Sequence, residues 1–337
     1  MSIGGIYMAL VWKDINSADD ILTWKPENKK KFKVLAIDGG GIKGVFPAKY
    51  LQMIENKIGG NIYEHFDLIV GTSTGGIIAL ALSIGVSTSE IVKLYKDLGK
   101  NIFKSRLVNR VAHPITHALL KSKYDNKNLT VALKDVFGDK KIKDAKTLLC
   151  IPSIDFYRAK PKVYKTPHSH YHLDRNLKMW QVALATSAAP TYFPAAIVDK
   201  AAGTPDYMID GGLWANNPSV IGICEALHFG CNLKDIQLLS IGTGHCVYKG
   251  KKEKALKSGF LSWGTGLVDF TMNAQNYGNN AMAMYLLPEE NFDRIDFETG
   301  DKINLDSVDD KSIEILMKEA ERAYGKTCPD IENKFFI

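Results

Sequence analysis

The chain of 337 residues is 45% hydrophobic and 24% charged, which excludes a disordered or fibrous polymer and leaves room for a sizeable core. A net charge of +6 gathers in KKKFK (29–33) and KGKKEKALK (249–257). These read as solvated lysines with a weak pull toward anionic membrane surfaces; with no basic stripe interleaved with aromatics, nucleic acid is excluded as a partner. Five cysteines, an odd number with no C-x-x-C pair, exclude a disulfide scaffold and fit a reducing cytosol.

Residues 1–31 are polar apart from IYMALVW and lack a basic start or an A-x-A-like site, so an N-terminal arm is expected rather than a secretory signal. KVLAI then reads as a buried strand, followed by a helix over about 45–57, a strand at DLIV and a helix over 76–84. The stretch 68–86 is free of charge and resembles a membrane span in hydropathy. Gly71, Thr72, Ser73, Thr74, Gly75 and Gly76 are poor helix formers, however, and split it into strand, turn and buried helix.

Residues 87–145 are lysine-rich and helical in pattern, opening on a Ser/Glu capping pair, and are expected to form an insertion or lid. TLLCIPSIDF and KVYKT pair as strands, and NLKMWQVALATSAA is a helix that Pro190 ends. A strand and turn at DYMIDGGLW, a helix in NNPSVIGICEALHFG and a strand at DIQLLSIGTG follow. Near the end, Ile313, Leu316, Met317, Ala320 and Tyr324 give SIEILMKEAERAYG one apolar face. The alternation predicts an α/β fold, a mainly parallel central sheet flanked by helices. Cys224, His228 and Cys231 fall at metal-like helical spacing, but a fourth ligand has no source, and the stripe reads as core packing.

Three stretches carry chemistry. In DGGGIKG (38–44), Gly39, Gly41 and Gly44 fit the G-x-G-x-x-G of a dinucleotide-binding turn. Asp38 would repel a pyrophosphate, and no ribose-binding acid ends the second strand. The same backbone, Gly39, Gly40 and Gly41, could instead offer N–H groups to an oxyanion, with Lys43 adding positive charge. Gly71-Thr72-Ser73-Thr74-Gly75 fits the G-x-S-x-G nucleophile elbow, with a strand before and a helix after. A Ser/Thr-capped helix start or a phosphate loop would share the spelling, although no Gly-Lys-Ser/Thr follows.

A nucleophilic serine needs a base. Asp210 ends the strand YMI ahead of Gly211 and Gly212, at a carboxyl edge where α/β sheets gather ligands. An ordinary aspartate is too weak a base at neutral pH, so burial would have to raise its pKa. A conventional triad would use His245, the histidine that fits the Ser, Asp, His chain order; His168, His170 and His172 precede Asp210.

DGGGIKG, GTSTGG and DGG (210–212), with ALATSAAPTYFPA between the last two, resemble the patatin-like phospholipase family over about residues 33–245. The resemblance implies a three-layer fold and a phospholipase A type acyl hydrolase without metal or cofactor. It also implies Ser73 as nucleophile, Asp210 as base, Gly39 to Gly41 as oxyanion loop, Lys43 in the family's arginine or lysine position, and His245 as a spectator. CIPSID, KTPH and IDGGLWANNP further resemble bacterial effectors of this family that a cyclic nucleotide switches on in anti-phage defence. On that reading the partners are membrane phospholipid at the inner face of the cytoplasmic membrane, a cyclic nucleotide activator and further copies of the chain. The divisions are an arm (1–31), a catalytic core (32–245) containing the 87–145 insertion, and a helical extension (246–337) packed on the core. The competing functions are a nucleotide-binding module built on DGGGIKG, an acyl hydrolase without nucleotide control and an inactive scaffold.

Overall fold

The computed structural model describes residues 31–102, 122–168, 171–199, 203–246, 266–300 and 303–336. The arm before residue 31, the lysine cluster at 249–257 and His170 lie outside the described residues.

Strand β1, Phe32–Ile37, shows why the fold is layered. Phe32, Val34 and Ala36 enter one core while Leu35 and Ile37 enter another, all fully buried. A strand apolar on both faces must be covered on both. The remaining strands are β2 (Leu68–Gly71), β3 (Leu148–Asp155), β4 (Lys160–Lys165), β5 (Ala196–Val198), β6 (Asp206–Asp210), β7 (Ile236–Ile241), β8 (His245–Cys246), β9 (Phe292–Ile295) and β10 (Glu298–Thr299). Eight of them form one sheet in the order β5-β6-β3-β2-β1-β7-β9, with β4 also paired to β3; β8 and β10 pair separately. The run from β3 to β9 is parallel, whereas β4, β5 and β6 join antiparallel.

The main helices are α1 (Val45–Ile58), α2 (Thr74–Ser83), α3 (Thr88–Ile102), α4 (Lys127–Phe137), α5 (Met179–Thr186), the short α6 (Gly212–Ala215), α7 (Ser219–His228), α8 (Gly266–Leu286) and α9 (Asp310–Ile331). α1, α2, α5 and α9 cover one face; α7 and the end of α8 cover the other. All ten residues of α2 are buried, as the rejection of a span at 68–86 requires. Among the described residues no helix is long and apolar enough to cross a membrane.

Three expectations are amended. The sequence after residue 245 is not only helical, because β9 extends the central sheet beside β7. Asp210 does end a strand, but β6 runs against β3, so it reaches the site from the opposite direction to the parallel strands. On α7, Cys224 and His228 face solvent while Ile221 and Glu225 are buried, so the stripe is not core; Cys231 is buried beyond the helix end.

Candidate active site

The strand β2 ends in a turn so tight that neither flank of Ser73 tolerates a Cβ. One on Gly71 would come within 2.1 Å of the Gly75 carbonyl oxygen, and one on Gly75 within 2.2 Å of the Ile37 oxygen. Ser73 itself sits at φ 54°, ψ −122°, a conformation that costs a non-glycine residue about 1–3 kcal/mol. The neighbours hold it there. Its N–H donates to Thr186 Oγ1 at 2.9 Å, and that hydroxyl donates to the Pro152 carbonyl at 2.6 Å. Thr72 Oγ1 donates to the Ala215 carbonyl at 2.6 Å. Thr74 and Tyr95 exchange hydrogen bonds, the tyrosine hydroxyl donating to the Thr74 carbonyl at 2.9 Å, which ties α3 to the start of α2.

Asp210 meets Ser73 because of how β3 is shared. β4 occupies one edge of β3 from Cys150 to Asp155, so β2 and β6 must both lie on the other. β2 pairs there up to Cys150 and β6 from Asp155 back to Ser153. Their C-terminal ends therefore point at each other. Ser73 Oγ donates to Asp210 Oδ2 at 2.6 Å, and the Gly212 N–H donates to Oδ1 at 2.7 Å. Burial pushes the carboxyl up to about 7, against the opposing pull of those two hydrogen bonds. A carboxylate with that pKa can take a proton from a serine at neutral pH.

The glycine loop is anchored by an ion pair that joins residues 256 positions apart. Arg294 on β9 holds both oxygens of the buried Asp38, at 3.0 and 2.5 Å, and also reaches Asp296 at 2.7 Å. Burial still raises the Asp38 pKa to about 6, with Arg294 opposing it. Arg294 thus divides one positive charge between two carboxylates, Asp38 and Asp296. Gly39 needs correcting as an oxyanion donor. Its N–H donates to the Asn216 carbonyl at 2.9 Å, while its own carbonyl accepts from Thr243 Oγ1 at 2.8 Å. Among the described residues no acceptor takes the N–H of Gly40 or Gly41.

Ser73 and Asp210 open on a cavity whose walls are otherwise mostly apolar, with Ile77, Leu94, Leu133, Phe193 and Met272 among them. α3 and α4, from the expected insertion, supply part of that wall. Lys43 does not border it; it lines a neighbouring cavity with Gly39 and Gly40, its Nζ 3.4 Å from the Gly244 carbonyl. His245 is turned toward Asp296, with Nδ1 3.8 Å from Oδ2, and that carboxylate raises its pKa. His168 is buried against Glu225, its Nε2 2.5 Å from Oε1, and neither it nor the half-buried His172 borders the Ser73 cavity.

Sequence reasoning thus singled out Ser73, Asp210 and the glycine loop, which the structure brings close together, but missed Thr186, Arg294, Asn216 and Tyr95. Only Arg294 left a signal: an arginine between aspartates in FDRID is a natural counter-ion for a buried Asp38.

A family model described as patatin-like phospholipase matches residues 35–221. A cGAMP-activated phospholipase of Pseudomonas aeruginosa is 33% identical over 274 residues, which cover 80% of this chain and 80% of that one. Proteins of the same description from Vibrio cholerae and Escherichia coli are each 34% identical, covering 86% and 90% of this chain and 89% and 90% of their own.

Proposed function

The chain belongs to the patatin-like phospholipase family, and on that premise we propose that it hydrolyses acyl esters of membrane phospholipids at Ser73, with Asp210 as the only base. The observation that carries this reading is the 2.6 Å hydrogen bond from Ser73 to a buried carboxyl of raised pKa, at the wall of an apolar cavity. With the acyl chain in that cavity, Ser73 Oγ attacks the ester carbonyl and its proton passes to Asp210. The N–H groups of Gly40 and Gly41 stabilise the oxyanion, each such donor contributing about 3–4 kcal/mol. Collapse expels the lysophospholipid alcohol, which takes the proton from Asp210. Water then attacks the acyl-enzyme with Asp210 accepting its proton, and as the fatty acid leaves Asp210 returns that proton to Ser73 Oγ.

The names of the three bacterial relatives support control by a cyclic nucleotide; action at the inner face of the cytoplasmic membrane in anti-phage defence belongs to the same proposal. An activator that raises activity a hundredfold must favour the active form by about 2.7 kcal/mol. Remodelling of one chain and assembly of several are both routes to that preference, and light scattering with nucleotide present separates them.

A fluorophosphonate probe should label one serine, Ser73, and Ser73→Ala should lose both labelling and fatty acid release from liposomes. Retention of more than a few per cent of release would sink the assignment. Full liposome hydrolysis without any nucleotide, or no response at saturation, would remove the regulatory part alone.

A further inference from the structure

Past the level of the catalytic pair the strand β3 runs on. Ser153 lies opposite Asp210, and the strand continues to Asp155 before turning back into β4 through Phe156, Tyr157, Arg158 and Ala159. We propose that this hairpin tip is the surface by which the chain seats itself on a lipid bilayer, Phe156 and Tyr157 entering the boundary between headgroups and acyl chains. The choice of partner rests on the phospholipase reading above.

The first support is what the tip exposes. Phe156 and Tyr157 are 57% and 74% exposed, their rings edge to face at 5.8 Å. Tyr157 also meets the ring of Tyr207 on β6 at 5.1 Å, and Ile197 on β5, paired with Tyr207, faces solvent. Turns ordinarily carry small or polar residues that suit water. Here two adjacent aromatics continue into an apolar patch that reaches β5. A ring that enters hydrocarbon while a phenol hydroxyl stays wet suits the bilayer interface.

The second support is how the turn treats its own backbone. A segment that leaves water must satisfy its N–H groups internally. The Phe156 N–H donates to the Tyr207 carbonyl at 2.8 Å, and the Arg158 N–H donates to Asp155 Oδ1 at 3.0 Å. Asp155 takes the Tyr157 N–H as well, and its Oδ2 accepts from Arg158 Nη1 at 2.6 Å. Three successive donors at an exposed tip are thus served by the protein rather than by water, and the arginine's charge is matched beside them.

The third is position. β2 and β3 are parallel, so the tip projects from the edge of the sheet that carries Ser73. At ~3.3 Å per residue the aromatics stand roughly 10 Å beyond the Ser73–Asp210 pair. Interfacial segments sink about 5–10 Å into the headgroup and acyl boundary, which is where the esters of a phospholipid lie. A tip seated there holds Ser73 within about one headgroup of those esters. A protein partner would need about 800 Å² of contact, more than so narrow a turn presents, whereas a bilayer closes around it.

The test uses the full chain carrying Ser73→Ala, which spares the lipid, and vesicles of phosphatidylcholine, whose headgroup has no net charge. The chain should sediment with them without any nucleotide, because the tip is already exposed. Phe156→Ser with Tyr157→Ser should lower vesicle partitioning roughly fiftyfold, and Phe156→Trp with Tyr157→Trp should preserve it. Binding should survive ~1 M salt, where charges are screened beyond ~3 Å. With Ser73 intact, the two serine substitutions should leave hydrolysis of a soluble p-nitrophenyl ester unchanged. They should slow fatty acid release from vesicles, measured with cGAMP added, in proportion to the lost binding. Serine variants that bind as the parent does, a parent that does not bind, or binding that salt abolishes would overturn the proposal. Self-association that disappears with the aromatics while vesicle binding stays would also overturn it, by making the tip a protein contact. Tip-dependent binding by a chain that releases no fatty acid would uphold the docking surface and condemn the phospholipase reading instead.

Discussion

Replacing Asp210 by Asn should abolish activity and at the same time stabilise the protein at alkaline pH. The carboxyl is raised from 3.8 to about 7, chiefly by burial. Below pH 4 it is protonated in both folded and unfolded chains, and its ionisation costs folding nothing. As pH rises from about 4 to 7 the unfolded chain ionises first, so wild-type stability falls, and above 7 the loss is complete. That interval, at ~1.4 kcal/mol per pH unit, comes to on the order of 4 kcal/mol. Asparagine carries no charge to bury. Its Oδ1 can still accept from the Gly212 N–H, and Ser73 Oγ can turn to accept from Nδ2. Urea unfolding of both proteins across this pH range should give equal stabilities at the acid end and a growing advantage for Asp210→Asn up to a plateau above 7. A variant less stable than wild type at pH 8, or a difference that ignores pH, would refute the assignment of burial as the source of the base's strength.

The rate should carry the same ionisation: kcat/KM on a soluble ester should climb with pH and level off above about 7, because Asp210 must be a carboxylate to act. A flat profile would leave another group as base. Ser73→Gly should be more stable than Ser73→Ala by about 1 kcal/mol in thermal melts, since only glycine relieves the backbone strain at φ 54°; equal stabilities would mean the turn is unstrained. Arg294→Met should cost about 3–5 kcal/mol by stranding Asp38, and Arg294→Lys should rescue it poorly because a lysine cannot grip both carboxylate oxygens. Near-complete rescue by lysine would show that charge alone anchors the loop. His245→Ala should keep most of its activity, given that the ring faces Asp296 rather than Asp210; a loss like that of Ser73→Ala would restore the triad.

What could be read in the sequence was what is local. The elbow announces itself because Gly71 and Gly75 have no alternative within a turn that brings backbone to within 2.2 Å of where their Cβ atoms would be. The alternation along β1 and the uncharged α2 likewise encode burial directly. Asp210 was found for a reason that needed repair, since the direction of β6 depends on which edge of β3 remains open and no short stretch of sequence states that. Arg294 and the α8 amides that hold Asn216 and Asn217, those of Gln275, Asn276 and Asn279, lie far along the chain from the residues they serve. Their partners are fixed only once β9 and α8 dock. Nor could spacing tell that the Gly39 N–H is consumed by the Asn216 carbonyl.

The edge of β3 on which β2 and β6 abut works as a ruler. Cys150, opposite Val70, and Ser153, opposite Asp210, hold the ends of β2 and β6 a fixed count of residues apart, roughly 10 Å of strand at ~3.3 Å per residue, a gap that the turn from Val70 to Ser73 closes. Deleting one of the residues between them would draw the two strand ends together by a third of that length and flip the pleat, turning one member of the pair to the far face of the sheet. The pair is complete once the strands are zipped and Thr186 of α5 has taken the Ser73 N–H. Control over such a pair is left to whatever decides when an ester may reach it.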